Sequence, residues 1–398
     1  MLAGSEGALS LRSKPCTCIF ALLFIVMVIV APLRLASAAS VSAAPPRITA
    51  DAGILTDFTT GVVLFEKKAH ELRHPASLTK IMTAIVVLET CGLQDVVTVT
   101  EEATRVSGSR AGLRPGQKFT VEDMLYSLLL ESANDVALAL AIHVAGSVRG
   151  FAEIMNEKAW DCGARNTHFS NPHGLTEPGH LTTAYDLALL ARHALRYPLF
   201  AEAVRTRVAE IDRLDKEVVL RLHNTNRLLQ HFEGADGVKT GTTSASGRSL
   251  VASATRDDHK LVSVVLHSDS RWDDAARLLD YGFDRFVLLF PYRRGDMVQT
   301  VRVKGGMEGR ATLVAGDDLA VVAPREYALR LELSDLPRII DAPCLMARPA
   351  CRLTAFLDGR EIASIPLYPK RDVRSRTLWQ IIYTRVLLPL SRLLSGAG

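Results

Sequence analysis

The order of the secondary-structure patterns limits the folds open to this chain. Two β-rich runs joined by a turn at Thr59-Thr60-Gly61 occupy residues 48–66. Further β-rich runs follow much later, at 237–243, 249–254 and 261–267. Apolar periodicity predicts helices between them and after them, at 77–89, 120–130, 135–146, 148–160, 183–196 and 273–286. Helices enclosed by early and late strands predict an α+β domain over residues 45–290, with a helix cluster on a mostly antiparallel sheet.

The predicted helix at 77–89 has apolar residues on most of its sides, including Leu78, Ile81, Met82 and Ile85. A helix without a polar face is buried, so we expect it in the middle of the domain. The chain has 398 residues, of which 48% are hydrophobic, enough for a large core.

Residues 297–370 change to short alternating runs separated by turns such as Gly305-Gly306 and Asp358-Gly359. This pattern predicts a small all-β domain. The last segment, 377–398, is apolar but contains Arg385, Pro389 and Arg392. It predicts an amphipathic helix that lies on a membrane surface rather than spanning it; a helix packed on the β-rich domain is the alternative.

Residues 1–38 have the pattern of a secretory signal peptide. Arg12 and Lys14 precede an apolar stretch at 18–30, and Ala36-Ser37-Ala38 supplies a small-residue cleavage site. An uncleaved membrane anchor is the alternative. Either reading predicts an exported protein, periplasmic or on the outer face of the cell membrane. The amphipathic segment at 377–398 predicts that the protein is held at this membrane peripherally.

Composition and cysteine spacing argue against several classes of ligand. The formal charge is +4 and the basic residues are dispersed, so we predict no nucleic-acid partner. No C-x-x-C pair is present, and we predict neither a metal nor a cofactor. Cys344 and Cys351 are close enough in sequence to close a small disulfide loop in an oxidising compartment.

Three short motifs occur in order: Ser77-Leu78-Thr79-Lys80, Ser132-Ala133-Asn134 and Lys239-Thr240-Gly241. Each alone is weak, but one opens the buried helix, one interrupts a helical pattern and one lies on a predicted strand. Their conjunction predicts a serine hydrolase with Ser77 as the nucleophile. Ser77 begins a helix, where the dipole stabilises an attacking oxygen, and Lys80 lies one turn further on the same face.

A lysine needs a lowered pKa to act as a base at neutral pH, and a second lysine can lower it. Two ammonium groups about 4 Å apart repel by about 4 kcal/mol at an effective dielectric constant near 20, which corresponds to about three pKa units. We therefore expect Lys239 beside Lys80, with burial as a further contribution, and we expect Lys239 to attract a substrate carboxylate as well.

The other motif residues suggest further roles. Ser132 would relay a proton to the leaving amine, Asn134 would bind the substrate amide, and Thr240 would assist at the carboxylate. The backbone N–H groups of Ser77 and Thr242 would form the oxyanion hole.

The segments that carry these motifs resemble the low-molecular-mass penicillin-binding proteins, and specifically the serine-type D-alanyl-D-alanine carboxypeptidases. The segments that show the resemblance are 75–84, 132–135, 171–175 and 236–241. The resemblance implies a transpeptidase-like domain, a small β-sandwich and a C-terminal anchor. It also implies a substrate, the peptidoglycan stem peptide ending in D-Ala-D-Ala, and covalent inhibition by β-lactams. Arg271 is similar in placement to an arginine that supports the carboxylate site of the family. Thr242 departs from the His or Tyr common in relatives.

Three other functions share parts of this pattern. A D,D-endopeptidase that cuts cross-links is the nearest, although such relatives tend to lack the C-terminal domain. A class A β-lactamase would need an E-x-x-L-N loop, and none occurs between 155 and 185. A catalytically silent wall-binding protein would not need every catalytic position filled.

His173 is a further candidate base, but we expect it to structure its loop, since Lys80 already supplies a base.

Overall fold

The computed structural model describes residues 45–216, 218–383, 387 and 389. Nothing in it bears on the predicted signal peptide, because residues 1–38 lie outside the described part. The α-helices are α1 (Lys80–Thr90), α2 (Val121–Leu130), α3 (Asn134–Ala145), α4 (Val148–Asp161), α5 (Ala184–Ala194), α6 (Pro198–Arg205), α7 (Leu228–His231), α8 (Arg271–Arg285) and α9 (Leu378–Ile382).

The strands before residue 270 are β1 (Ala52–Asp57), β2 (Val63–Lys67), β3 (Val96–Thr98), β4 (Lys118–Thr120), β5 (Val208–Arg213), β6 (Val218–His223), β7 (Ala235–Thr243), β8 (Gly247–Arg256) and β9 (His259–Leu266). Those after it are β10 (Phe286–Tyr292), β11 (Met297–Lys304), β12 (Arg310–Ala315), β13 (Leu319–Pro324), β14 (Leu331–Leu333), β15 (Ile339–Asp341), β16 (Cys351–Leu357) and β17 (Arg360–Pro369).

Early and late strands form one five-stranded sheet in the order β2-β1-β9-β8-β7, with every neighbouring pair antiparallel. Its central strands bury both faces, because their side chains alternate between two cores. On β9, Val262 and Val264 join α1 and α5 on one face, whereas Leu261 and Val265 pack with α8 on the other. This sheet with its helix cluster confirms the predicted α+β class.

The helices begin and end near the predicted positions because their caps are encoded locally. Thr120 is the N-cap of α2, and its hydroxyl accepts a hydrogen bond from the Asp123 N–H at 3.0 Å. Thr183 caps α5 in the same way, with the Asp186 N–H at 3.0 Å. The buried helix differs at its start: Ala76–Thr79 form a 3-10 turn, and the α-helix begins only at Lys80.

The chain after α8 is β-rich. A six-stranded sheet, ordered β14-β16-β17-β12-β11-β15, lies beside the two-stranded pair β10-β13. Val301, Leu313, Leu319 and Leu367 belong to their shared core. Cys344 and Cys351 are free thiols in this structure, and the Cys344 thiol donates to the Asp341 carbonyl at 3.2 Å.

The described start of the predicted C-terminal helix is α9. Thr377 and Gln380 form a capping box there. Among the described residues no single helix is long and apolar enough to cross a membrane, and only the bent pair α3 and α4 meets that test jointly.

Candidate active site

Ser77 lies in the tight turn that precedes α1. The preceding residue, Ala76, has a φ of 49°, a left-handed conformation that costs a non-glycine residue free energy and is concentrated at functional sites. Ser77 is half-buried, while Lys80 is completely buried. The turn therefore holds the serine hydroxyl at the edge of the core, where a substrate can reach it.

The ammonium group of Lys80 is held by three acceptors. Its Nζ donates to the Ser77 Oγ at 3.2 Å, to the Asn134 Oδ1 at 2.7 Å and to the His173 carbonyl at 2.8 Å. The predicted pairing of Ser77 with Lys80 is thus present at hydrogen-bonding distance. The His173 carbonyl is a contact that sequence reasoning missed.

The pKa of Lys80 is lowered well below its ordinary value, chiefly by burial and secondly by the charge of Lys239, while the carboxylate of Asp135 opposes the shift. Both causes were predicted from the sequence, with the larger contribution assigned to the Lys239 charge. Burial is larger because a fully buried ammonium loses its hydration on every side. In its neutral form, the amine can take the proton of the Ser77 hydroxyl.

The loop at 171–174 supplies one wall of the site. Thr83 on α1 donates to the Pro172 carbonyl at 2.6 Å, and Asn171 Oδ1 accepts from the Gly174 N–H at 2.7 Å. A Cβ on Gly174 would lie 1.8 Å from the Ala76 carbonyl oxygen, so only glycine allows this loop to approach the nucleophile turn.

His173 is not suited to act as a base. Burial, with the nearby Lys80 as a second cause, lowers the pKa of His173 to about 3, so its imidazole is neutral and weakly basic at pH 7. Its Nδ1 accepts a hydrogen bond from the Leu175 N–H at 3.2 Å. These contacts fit the expected role of His173 in structuring the loop.

Strand β7 packs directly against the nucleophile turn. A Cβ on Gly241 would lie 3.0 Å from the Pro75 carbonyl oxygen and 3.3 Å from the Ala76 Cβ. The side chain of Lys239 is buried on this strand, and its Nζ donates to the Thr240 carbonyl at 3.3 Å. Burial, with Arg271 as the second cause, lowers the pKa of Lys239 to about 7.

The end of β7 carries the predicted carboxylate-binding residues. Arg271, the first residue of α8, donates to the Gly241 carbonyl at 3.1 Å and to the Thr242 hydroxyl at 2.9 Å. The hydroxyls of Thr240 and Thr225 are 3.0 Å apart. The structure therefore brings Thr240, Thr242 and Arg271 together beside Lys239.

The second motif lies where α2 ends and α3 begins. Asn134 donates through Nδ2 to the Ser107 carbonyl at 2.7 Å, so together with its bond to Lys80 both ends of its amide are engaged within the protein. Ser132 is buried and has a φ of 63°, but no hydrogen bond of the described residues links its hydroxyl to either lysine. Its relay role and the substrate contact of Asn134 remain predictions.

Asp135 also belongs to the site, although no role was predicted for it from the sequence. Its carboxylate accepts the N–H groups of Ala111, Gly112 and Leu113 at 2.9–3.0 Å, which ties their loop to the start of α3. The available sequence signal was an acidic residue at the start of an apolar helical run, directly after Asn134. A carboxylate that is buried there must find hydrogen-bond donors.

The expected absence of a metal stays a prediction. Potential ligand atoms of Cys91, Asp95 and His143 lie within 4.8 Å of one another. They lie by the far end of α1, roughly 16 Å along the helix from Lys80. The residues around Ser77 form no comparable group in the described part of the chain.

Comparisons with known proteins agree with this geometry. The profile of the D-alanyl-D-alanine carboxypeptidase family, Peptidase_S11, matches residues 39–270. The chain is 34% identical over 376 residues to the D-alanyl-D-alanine carboxypeptidase DacC of Escherichia coli, which covers 90% of this chain and 92% of that protein. It is 31% identical over 338 residues to DacF of Bacillus subtilis, with 82% and 86% covered.

A solved structure of a penicillin binding protein has a similar fold. Penicillin binding protein 5 from Haemophilus influenzae superposes with a TM-score of 0.73 at 30% identity, over 83% of this chain and 99% of that one. The predicted resemblance is confirmed: the chain belongs to the D-alanyl-D-alanine carboxypeptidase family.

Proposed function

We propose that this protein is a serine D,D-carboxypeptidase that removes the terminal D-alanine from peptidoglycan pentapeptide stems through an acyl-enzyme on Ser77. The observation that carries the proposal is the 3.2 Å contact between Lys80 Nζ and Ser77 Oγ, with the lysine pKa lowered by burial. The activity named in the relatives supports the substrate class.

In the first step, neutral Lys80 removes the hydroxyl proton as Ser77 Oγ attacks the carbonyl carbon of the penultimate D-alanine. The oxyanion is stabilised by the N–H groups of Ser77 and Thr242. The C–N bond then breaks, and the proton passes through Ser132 to the departing amine of D-alanine. Water hydrolyses the ester and regenerates Ser77.

The terminal carboxylate selects the substrate. Lys239, Thr240 and Arg271 surround the place where the carboxylate of the leaving D-alanine would lie, and a negative charge there offsets the repulsion between the cations. A β-lactam carries a carboxylate beside a reactive amide, so it would enter the same site and acylate Ser77 without being released quickly.

We expect the purified enzyme to release the terminal residue from an N-acylated pentapeptide ending in D-Ala-D-Ala and not from its D-Ala-L-Ala isomer. Free alanine of either configuration, labelled at its amine and measured by chromatography, is the readout. Faster cleavage of a cross-linked stem dimer would instead favour the endopeptidase alternative, and rapid catalytic hydrolysis of penicillin would favour the β-lactamase.

We also propose that the protein is exported and attaches peripherally to the outer face of the cell membrane through residues 377–398. Apolar side chains at the start of this segment are solvent-exposed: Leu378 by 76%, Trp379 by 79% and Leu387 by 49%. Each buried aliphatic or aromatic side chain contributes about 1.5–3 kcal/mol, so a few suffice for interfacial binding. Support for export comes from the signal-like pattern at 1–38.

Deleting residues 377–398 should release the enzyme from anionic phospholipid vesicles in a co-sedimentation assay, with turnover of small peptides unchanged. A Leu378→Glu/Trp379→Glu variant of the full chain should show the same loss, because both side chains are exposed. A truncated protein that aggregates or loses activity would show that this segment belongs to the packed fold instead.

A further inference from the structure

A polar groove opens beside the carboxylate end of the site. It has a volume of about 840 Å³, and its walls include Thr225, Arg227, Arg248 and Arg271. Two of these residues connect it to β7, since Thr225 pairs with the Thr240 hydroxyl and Arg271 donates to Gly241 and Thr242. In the proposed reaction this is the side on which the leaving residue lies.

The groove has an excess of positive charge. Arg227 and Arg248 are exposed, and in the described part of the chain none of the three arginines forms an ion pair with a carboxylate. Asp269 is the acid on the groove wall, and Arg248 contacts its backbone carbonyl at 3.3 Å rather than its carboxylate. His231 completes the titratable groups of the lining.

The arginines are close enough to affect one another. Burial first, and then the charges of Arg248 and Arg227, lower the pKa of Arg271. The Nε of Arg271 is buried and has no hydrogen-bond partner among the described residues. A bound anion would offset the electrostatic repulsion among these three arginines. The groove is therefore suited to binding a negatively charged group.

One carboxylate does not account for this arrangement. The terminal carboxylate of the substrate would already be met by Lys239, Thr240 and Arg271 at β7. Arg227 and Arg248 extend the positive surface outward from there, and the volume greatly exceeds that of an alanine methyl group. A leaving residue with a longer side chain can enter the groove, and an acidic one gains charge-assisted hydrogen bonds.

We propose that Arg227 and Arg248 form a second anion subsite, which makes the enzyme prefer a dicarboxylic D-amino acid over a neutral residue of the same shape as the leaving group. This specificity rests on the proposed carboxypeptidase function and extends it from D-Ala-D-Ala to D-Ala-D-X substrates whose X side chain carries a carboxylate. No further bond chemistry is required, because the same amide is cleaved.

The test compares two isosteric peptides, one N-acyl tripeptide ending in D-Ala-D-Glu and the other in D-Ala-D-Gln. The wild-type kcat/KM should be about tenfold higher for D-Glu, because charged hydrogen bonds and partly screened ion pairs each contribute a few-fold. Arg227→Gln and Arg248→Gln should each reduce this ratio about threefold, and the double variant should bring it near one.

Controls separate specificity from general damage. Arg149, on α4, is a highly exposed arginine paired with Glu153, so Arg149→Gln removes one surface charge elsewhere and should leave the ratio unchanged. Turnover of the D-Ala-D-Ala peptide should stay within about twofold in Arg227→Gln and Arg248→Gln, because both side chains are exposed. Arg248→Lys should retain part of the preference.

The outcomes are distinguishable from failure of the function itself. If D-Ala-D-Ala is cleaved but the D-Glu to D-Gln ratio is near one, or is unaffected by the arginine variants, the anion subsite is refuted and the carboxypeptidase stands. If no D-Ala-D-X peptide is cleaved, both proposals fail together.

Discussion

Replacing Ser77 by alanine is expected to abolish both D-alanine release and covalent labelling by penicillin. The turn at Ala76–Thr79 presents this hydroxyl to Lys80, and no other serine of the described chain donates to or accepts from that amine. Loss of the nucleophile removes the acyl-enzyme path, so kcat should fall by about 10³- to 10⁶-fold. Mass spectrometry of the penicillin adduct on the peptide containing residue 77 is the direct measurement.

The matched control is Ser244→Ala, which removes an exposed hydroxyl shortly after β7. This variant should be labelled like the wild type. Lys80→Ala should be as defective in acylation as Ser77→Ala, because among the described residues Lys80 is the only base in contact with the Ser77 hydroxyl. Labelling that persists in Ser77→Ala, or acylation by Lys80→Ala at neutral pH, would contradict the assignment.

Much of the fold could be predicted because its signals are local. The apolar helix at 77–89 and the turn at residues 59–61 are encoded within a few residues and were found close to their expected places. The helices predicted to start near 120 and 183 begin directly after the caps Thr120 and Thr183. The β5–β6 hairpin was missed because few of its side chains are buried, chiefly Ile211 and Leu222, and charged residues obscure the alternation. Strand β10 was also missed, because no element was predicted between the helix ending at 286 and the β-rich runs that begin at 297.

The site was predictable as a set of residues but less so as a geometry. Its motifs identify Ser77, Lys80 and Lys239, yet the acceptors that hold Lys80 lie 54 and 93 residues away in sequence, at Asn134 and His173. Such contacts depend on tertiary packing, which has no local signal. For the same reason, the spacing of the motifs alone could not show that burial lowers the pKa of Lys80 more than the charge of Lys239 does.

Lys239 should govern the alkaline side of the pH profile. Its pKa of about 7 means that its positive charge is present below that pH and is lost above it, so binding of the substrate carboxylate weakens as the pH rises. Lys80 acts in its neutral form, so its contribution increases with pH through its lowered pKa. Together they predict a bell-shaped dependence of kcat/KM on pH.

Two substitutions of Lys239 separate charge from side-chain identity. Lys239→Ala removes the partner of the substrate carboxylate and should reduce kcat/KM by about 10²- to 10³-fold, as expected when one member of a buried charge pair is truncated. It also removes a repulsion on Lys80, so the acid limb should move to higher pH. Lys239→Arg should keep part of the activity and lose the alkaline limb, since a guanidinium stays charged.

The measurement is kcat/KM for a D-Ala-D-Ala peptide between pH 5 and 10, with Lys118→Ala as the control for loss of an exposed lysine. An alkaline limb that persists in Lys239→Arg would assign that ionisation to another group. A Lys239→Ala enzyme with wild-type kcat/KM would refute the carboxylate anchor itself. Because burial is the larger cause of the lowered Lys80 pKa, Lys239→Ala should still leave Lys80 more acidic than a solvent-exposed lysine, and its acid limb should shift without disappearing.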